Sequence, residues 1–177
     1  MSMCLSMCAM CTFLVRLGNR LADDILGHLY LGEEENGIWK YNANPNSSED
    51  GVLIDSIGPN LAADVEGLTI YYSSKTTGYL IASSQGDNTY AIYTREGDNK
   101  FIGRFAIVDS ENIDGTSSTD GIDVCNMSLG KNFSQGAFIV QDDENDKGKQ
   151  NFKVVPWENI ASSFNPPLSN NNKWSIR

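Results

Sequence analysis

The sequence predicts an all-β protein, a partial β-propeller with about three blades. Three observations support this fold class: short alternating apolar segments recur from residue 22 onward, turn-forming residues separate them, and the segments repeat as sets. An antiparallel β-sandwich is the alternative, and the even spacing of the repeats makes it the weaker one. Only residues 157–164 show a helical period.

Nine segments carry the alternation of strands that are buried on one or both faces. In chain order they are 28–32, 38–41, 68–72, 79–83, 90–93, 101–107, 122–127, 137–140 and 152–155. Gly, Asn, Asp and Ser fill the gaps, as in REGDNKF at 95–101, and such residues favour hairpin turns. The segments therefore predict antiparallel sheets built from consecutive strands.

The strands repeat as units, each of which begins at a glycine followed by an aromatic-aliphatic strand. These glycines are Gly27, Gly78 and Gly136, spaced 51 and 58 residues apart. An acid or amide follows six or seven residues after each of them, at Glu33, Gln85 and Asp142. Repeats of this length with about four strands are typical of propeller blades, and closed propellers have about four to eight blades. We therefore expect the chain to be part of a larger ring, or an incomplete product of one.

The composition limits the classes of partner. The chain has 177 residues and a formal net charge of −10, which argues against nucleic-acid binding because phosphate backbones require clustered Lys and Arg. This charge fits a protein that binds cations, or one that is kept soluble by its acidic surface. The apolar run of about 15 residues at the start is too short to span a membrane, so no membrane partner is expected.

Three regions are predicted: an atypical Met/Cys-rich segment at 1–20, propeller repeats at 21–160 and a polar tail at 161–177. Cys4, Cys8 and Cys11 crowd the first segment but lack the fourth ligand of a zinc site, and Cys125 is interpreted as a core residue. A signal peptide begins with basic residues and ends at a small-residue cleavage site, and the first segment shows neither of these clearly.

Six oxygen-bearing side chains occupy the beginnings and ends of the repeats, where the loops of a propeller converge on its channel. They are Glu33, Asp64, Glu66, Gln85, Asp114 and Asp120. Carboxylates brought together repel one another unless a cation neutralises them, and an all-oxygen ligand set favours Ca²⁺ over Mg²⁺ or Mn²⁺. Acids can also simply build turns, and we interpret Asp98, Asp109 and Asp143 in that way.

Several long motifs resemble one known family. They are 23-DDILGHLYLGEEENGIWKY-41, 64-DVEGLTIYY-72, 78-GYLIASSQGDNTYAIYTREGDNKFIGRFAI-107, 114-DGTSSTDGIDV-124, 141-QDDEN-145 and 150-QNFKVVPW-157. In this order and spacing they resemble the C-terminal half of the β-propeller phytases, which are calcium-dependent alkaline phosphatases of phytate. The resemblance covers roughly residues 21–160.

The resemblance implies a six-bladed propeller of which this chain holds about the last three blades. It implies metal ligands at Glu33, Asp64, Glu66 and Gln85, with Asp114 and Asp120 matching acids that support the loops and the site. The metals of the family bind substrate phosphates and activate water, so Glu33, Asp64 and Glu66 would act in catalysis through bound Ca²⁺. The expected substrate is phytate or another phosphate monoester, and the expected location is extracellular.

Two departures from the family leave a second function open. The family has an acid-Gly motif before the residues V-A-D-D, and this chain has no match for it; Gly18 and Asn19 lie near the corresponding positions. The Lys and Arg residues with which the family binds phosphate lie in the earlier blades, which this chain lacks. The alternative is therefore a catalytically inactive half-propeller that binds calcium or calcium with phosphate. In either case, open blade edges are expected to favour self-association.

Overall fold

The structure, a computed structural model, describes residues 17–146, 148–170 and 173. Cys4, Cys8 and Cys11, and with them most of the predicted 1–20 segment, lie outside the described residues. The first strand begins at Leu17, within that segment. No helix of the described part is long and apolar enough to cross a membrane.

Eleven strands and one short helix make up the described regular structure, with two single-turn 3₁₀ helices between strands. The strands are β1 (Leu17–Asp23), β2 (His28–Glu33), β3 (Gly37–Asn42), β4 (Val52–Ser56), β5 (Val65–Tyr72), β6 (Gly78–Ser84), β7 (Thr89–Thr94), β8 (Phe101–Phe105), β9 (Ile122–Cys125), β10 (Ala137–Asp142) and β11 (Asn151–Pro156), and the helix is α1 (Trp157–Ser162). The all-β prediction is confirmed, and each of the nine predicted segments forms a strand.

Consecutive strands form three antiparallel sheets. Sheet 1 contains β1 to β4 and sheet 2 contains β5 to β8, each in sequence order, while sheet 3 contains β9, β10 and β11. The first strands of the sheets contact one another, because β5 touches both β1 and β9. Among the described residues the three sheets converge on their first strands and do not close into a barrel, so they form a partial β-propeller, as the sequence predicted.

Sheet 2 lies between the other two and is apolar on both faces. On one side Leu80 and Ala82 pack into a core with residues of sheet 1 such as Tyr30. On the other side Ile81 and Ile92 pack into a core shared with sheet 3 and α1. These four residues of sheet 2 are fully buried, which explains why β6 is a continuous apolar run instead of an alternation.

Polar contacts join each sheet to the next. Asp23 at the end of β1 forms a buried ion pair with Arg95, which directly follows β7 of sheet 2, with Nε–Oδ2 at 2.6 Å. The Tyr90 hydroxyl of sheet 2 lies 2.7 Å from Thr116 Oγ1 and 2.8 Å from Thr119 Oγ1, both in the segment that leads into β9. Because these groups are buried and partnered, they fix the order in which the sheets stack.

Candidate cation site where the sheets converge

Three carboxylates meet at the junction of sheets 1 and 2. Glu34, Asp64 and Glu66 each offer one oxygen, and these oxygens lie within 4.8 Å of one another. All three side chains are partly buried. Several carboxylate oxygens at this spacing make a ligand set suited to a hard divalent cation.

The backbone holds the three acids in place. Asp64 and Glu66 flank Val65, whose side chain is fully buried at the start of β5. Glu66, the next residue of the strand, therefore points away from the core, and Asp64 directly precedes the strand. The amide N–H of Val65 donates to the carbonyl oxygen of Glu34 at 3.1 Å, which ties the β2–β3 turn to the start of β5. The D-x-E spacing and this single backbone bond therefore bring the group together.

The electrostatics of the group favour a positive ligand. Burial raises the pKa of Glu66 above its usual value, and the neighbouring carboxylates of Glu34, Asp120 and Asp64 raise it further. A raised carboxyl pKa means that the protein destabilises the charged form of this side chain. A cation bound among these oxygens would reverse that effect, so the residues present fit a metal ion.

Sheets 2 and 3 are joined by a contact between a turn and the start of the next sheet, as sheets 1 and 2 are, and here the residues are Gln85 and Asp120. Gln85 Nε2 donates to Asp120 Oδ1 at 2.7 Å, and the backbone N–H of Gln85 donates to the carbonyl oxygen of Asp64 at 3.0 Å. The turn after the second strand of one sheet thus contacts the start of the next sheet in both places. Since Asp120 also influences Glu66, four of the six predicted residues, namely Asp64, Glu66, Gln85 and Asp120, lie in one neighbourhood.

Glu33 is placed differently from its neighbour Glu34. Its two carboxylate oxygens accept hydrogen bonds within its own hairpin, from Asn36 Nδ2 at 2.5 Å and from Trp39 Nε1 at 2.8 Å. It shares a strand face with Leu31, which is cross-strand from Trp39, whereas the alternate residue Tyr30 faces sheet 2. The structure therefore brings Glu34 to the group of acids, and a ligand role for Glu33 stays a prediction.

Asp114 belongs to another acidic pocket and not to this group. The pocket has a volume of about 230 Å³ and is lined by Asp109, Asp114, Asp142, Glu144 and Asp146, with backbone and hydroxyl groups of the same loops. Lys153 Nζ reaches into this region and contacts Asp114 Oδ1 at 2.6 Å and Asp142 Oδ2 at 3.1 Å. The Lys153 ammonium and the Asp146 N–H hold the pKa of Asp114 below its usual value.

One position of the repeat lacks its acid. Regular strand pairing begins at Leu68 in β5 and at Ile122 in β9, and an acid, Glu66 or Asp120, lies two residues before each of them. In β1 regular pairing begins at Arg20, and the residue two positions before it is Gly18. A Cβ on Gly18 would lie 2.2 Å from the carbonyl oxygen of Val65, so the backbones approach too closely for any side chain without a shift. The site therefore has no carboxylate from this position.

Sequence reasoning missed two residues that the structure places in these sites. The repeat predicts Glu33 as the ligand, whereas the structure places Glu34 in the group; the run of three glutamates at 33–35 is the only sign of this in the sequence. Lys153 was missed because a lysine in an apolar strand gives no local sign of its partners. Both become visible only when strand register is known.

The fold and this group of acids define a class: a partial β-propeller with carboxylates that could hold a cation where its sheets converge. Comparison with known proteins then identifies the family. A family model described as Phytase matches residues 16–175. The chain belongs to the phytase family.

A curated relative extends the comparison. The chain is 52% identical over 146 residues to a protein named 3-phytase from Bacillus subtilis (strain 168), an alignment that covers 80% of this chain. The same alignment covers 38% of the relative, so the chain spans well under half the length of the relative it matches. The relative thus contains a large part that has no counterpart here.

Proposed function

We propose that this chain is a calcium-dependent phosphomonoesterase that acts on phytate. The observation that carries the proposal is the meeting of Glu34, Asp64 and Glu66 within 4.8 Å, in a chain of the phytase family. The name of the relative, 3-phytase, supports phytate as the substrate. We extend the family's usual location to this chain and propose that it acts outside the cell.

The proposed roles follow from the placement of the residues. Glu34, Asp64 and Glu66 would hold the cation, and Gln85 with Asp120 would complete the oxygen-lined surface beside them. Asp114, in its separate pocket with Lys153, would bind a cation that supports the loops, and Glu33 would orient the hairpin that carries Glu34. Calcium suits the site best because every donor is oxygen and no His or Cys is among them.

The acidic surroundings also explain why a cation is required. A phosphate ester is itself negatively charged and would be repelled by a group of carboxylates on a chain with a net charge of −10. Bound Ca²⁺ would supply the positive charge that attracts the phosphate and lowers the pKa of the attacking water. The protein side chains then contribute position, since they fix where that charge sits relative to the substrate.

Phosphate release from phytate tests the proposal. The wild-type chain is expected to release phosphate with calcium and to stop when a chelator removes it, and Asp64→Ala and Glu66→Ala are expected to lose both activity and calcium binding. Asp98→Ala, an acid of the exposed β7–β8 turn, is the matched control and should behave like the wild type. If the wild-type chain releases no phosphate with any divalent metal, the catalytic proposal is wrong for this polypeptide.

A second candidate function is a calcium-binding protein without turnover. The observation that favours it is Gly18, which leaves the site without the carboxylate that the other two sheets carry at this position. Isothermal titration calorimetry separates the two functions. Calcium binding with no phosphate release supports the second candidate, and the absence of calcium binding contradicts both.

A further inference from the structure

The turn between β2 and β3 carries the one Asn-Gly pair of the chain, Asn36-Gly37. Every other asparagine is followed by a residue larger than glycine. Asn36 is exposed, and it lies two positions after Glu34, which this turn contributes to the group of acids. A dipeptide with a chemistry of its own therefore lies beside a residue on whose position the cation site depends.

An asparagine that precedes glycine reacts with the main chain. The backbone nitrogen of Gly37 attacks Cγ of Asn36, the Cγ–Nδ2 bond breaks, and the amide leaves as ammonia with the proton of the attacking nitrogen. The product is a five-membered succinimide ring, which glycine favours because it has no side chain to hinder the attack and tolerates the backbone angles of the ring. Water then opens the ring to aspartate or to isoaspartate. One water is consumed and one ammonia is released, and nothing is oxidised or reduced.

The fold requires the glycine of this pair. Gly37 has a φ of +143°, a backbone conformation that residues with a side chain rarely adopt. A Cβ at this position would lie 2.1 Å from the carbonyl oxygen of Asp55 in the neighbouring strand β4. Sheet 1 therefore excludes a larger residue after Asn36 unless its backbone shifts, and the reactive pair is built into the hairpin.

The contacts of Asn36 show what its modification would change. Its side-chain Nδ2 donates to Glu33 Oε1 at 2.5 Å, and its carbonyl oxygen accepts from the Ile57 N–H at 3.0 Å. One turn residue earlier, the carbonyl oxygen of Glu34 accepts from the Val65 N–H at 3.1 Å, which holds Glu34 against the start of β5. Deamidation replaces the donor to Glu33 by a second carboxylate, which repels it.

Isoaspartate changes the turn more than aspartate does. In isoaspartate the main chain runs through Cβ and Cγ, which adds one atom to it, and the former carbonyl of residue 36 becomes a free carboxylate. That carbonyl is the acceptor of the Ile57 N–H, and the strands are paired directly across the turn, with Glu33 opposite Gly37. Because a paired hairpin fixes the length of its turn, an added main-chain atom displaces the turn residues, Glu34 among them.

We propose that Asn36 is a site of spontaneous deamidation and that the isoaspartyl product moves Glu34 away from Asp64 and Glu66. The reaction needs only water, so the chain itself sets how long the three acids stay together. The effect on calcium rests on the proposed function, whereas the reaction and the change in the turn do not.

Peptide mapping by mass spectrometry tests the reaction, on the full 177-residue chain incubated at mildly alkaline pH. We expect the peptide that contains Asn36 to gain the mass of one deamidation. Asn46, which is exposed in the β3–β4 loop and followed by Ser47, is the matched control and should react more slowly. Trypsin separates the two asparagines because Lys40 lies between them. Equal rates at Asn36 and Asn46 would overturn the proposal.

Hydrogen exchange and calorimetry on the purified isoaspartyl fraction test the consequence. The amides of Ile57 and Val65 should exchange faster than in the unmodified chain, and calcium should bind about tenfold more weakly, as expected for the loss of one carboxylate from the group. Freshly purified Asn36→Asp carries the added charge on an unaltered main chain and should keep slow exchange at Val65. Asn36→Gln forms no five-membered ring, so incubation should leave it unchanged.

The two proposals fail in different ways. Slow exchange at Ile57 and Val65 in the isoaspartyl fraction, or an unchanged calcium affinity in a chain that binds calcium, would overturn the displacement of Glu34. Absence of calcium binding in the unmodified chain would contradict the proposed function alone, since peptide mapping and hydrogen exchange still decide whether Asn36 reacts and whether the turn moves.

Discussion

Substitution of Arg95 by Met should destabilise the protein more than any surface change, because it leaves Asp23 buried without its cation. Both side chains are 0% exposed. Arg95 donates to both Asp23 oxygens, from Nε at 2.6 Å and from Nη2 at 2.8 Å, and its Nη1 donates to the carbonyl oxygen of Lys75 at 3.0 Å. The guanidinium also lies over the Tyr72 ring, 4.5 Å from its centroid.

The magnitude follows from full burial of both partners. Removal of one member of a buried ion pair costs about 3–5 kcal/mol, since the remaining charge has neither water nor partner. For a chain of this size, about 1 kcal/mol corresponds to about 2–4 °C in Tm, so Arg95→Met should lower Tm by roughly 6–20 °C. Replacement of both residues, Asp23→Leu with Arg95→Met, should cost less than the sum of the single changes.

Urea unfolding followed by circular dichroism measures these free energies. Arg104→Met is the matched control, because its 2.6 Å ion pair with Asp87 is exposed (38% and 33%) and pairs of that kind contribute about 0–1 kcal/mol. Equal losses for Arg95→Met and Arg104→Met would refute the reasoning, because burial would then make no difference.

The pair also predicts a pH dependence. Burial alone would raise the pKa of Asp23, but hydrogen bonds from Arg95 and from the Leu26 N–H outweigh it and hold the pKa below its usual 3.8. A folded-state pKa below the unfolded value gives stability that is present above the unfolded value and is lost as pH falls through the folded one. Wild-type stability should therefore decline below about pH 4 more steeply than that of the double variant.

Three further predictions follow from other contacts. Trp157→Ala should cost about 3–5 kcal/mol in urea unfolding, because this fully buried side chain is lost from the core between sheets 2 and 3; a loss below about 1 kcal/mol would contradict that packing. Tyr90→Phe should cost about 1–3 kcal/mol, because Thr116 and Thr119 lose a buried partner, and a neutral result would mean that these hydroxyls re-pair. Calcium affinity should fall as the solution is acidified, because protons compete with calcium for Glu66. Since the pKa of Glu66 is raised, the fall should begin above the usual pKa of a glutamate. Calorimetry at several pH values measures it, and an affinity that stayed constant until about pH 4 would contradict the prediction.

The sequence predicted nine of the eleven described strands and missed the two edge strands of sheet 1. Strands such as β6 and β7 are apolar over most of their length because sheet 2 is covered on both faces. β4 was not predicted, because none of its five residues is buried and its sequence therefore carries no alternation of apolar and polar positions. β1 was not predicted either, because an irregular register between Leu17 and Arg20 breaks the period.

The site was predictable where a repeat carried it. Asp64 and Glu66 lie before and within the first strand of sheet 2, and Asp120 precedes the first strand of sheet 3, so their convergence could be anticipated from the repeat. The choice between Glu33 and Glu34 could not be made in that way. A shift of one residue moves a side chain to the other face of a strand or past its end, and only the three-dimensional register fixes which carboxylate meets the D-x-E pair.

The central claim is that Glu34, Asp64 and Glu66 together bind calcium, and titration calorimetry of two adjacent substitutions tests it most directly. Glu34→Gln removes a carboxylate from the group, so calcium at this site should bind at least about tenfold more weakly, or about 1.4 kcal/mol. Glu35→Gln is the matched control, because Glu35 is an exposed acid of the same turn and is not in the group, and its calcium affinity should stay close to that of the wild type. Weaker binding for Glu35→Gln with no change for Glu34→Gln would contradict the account.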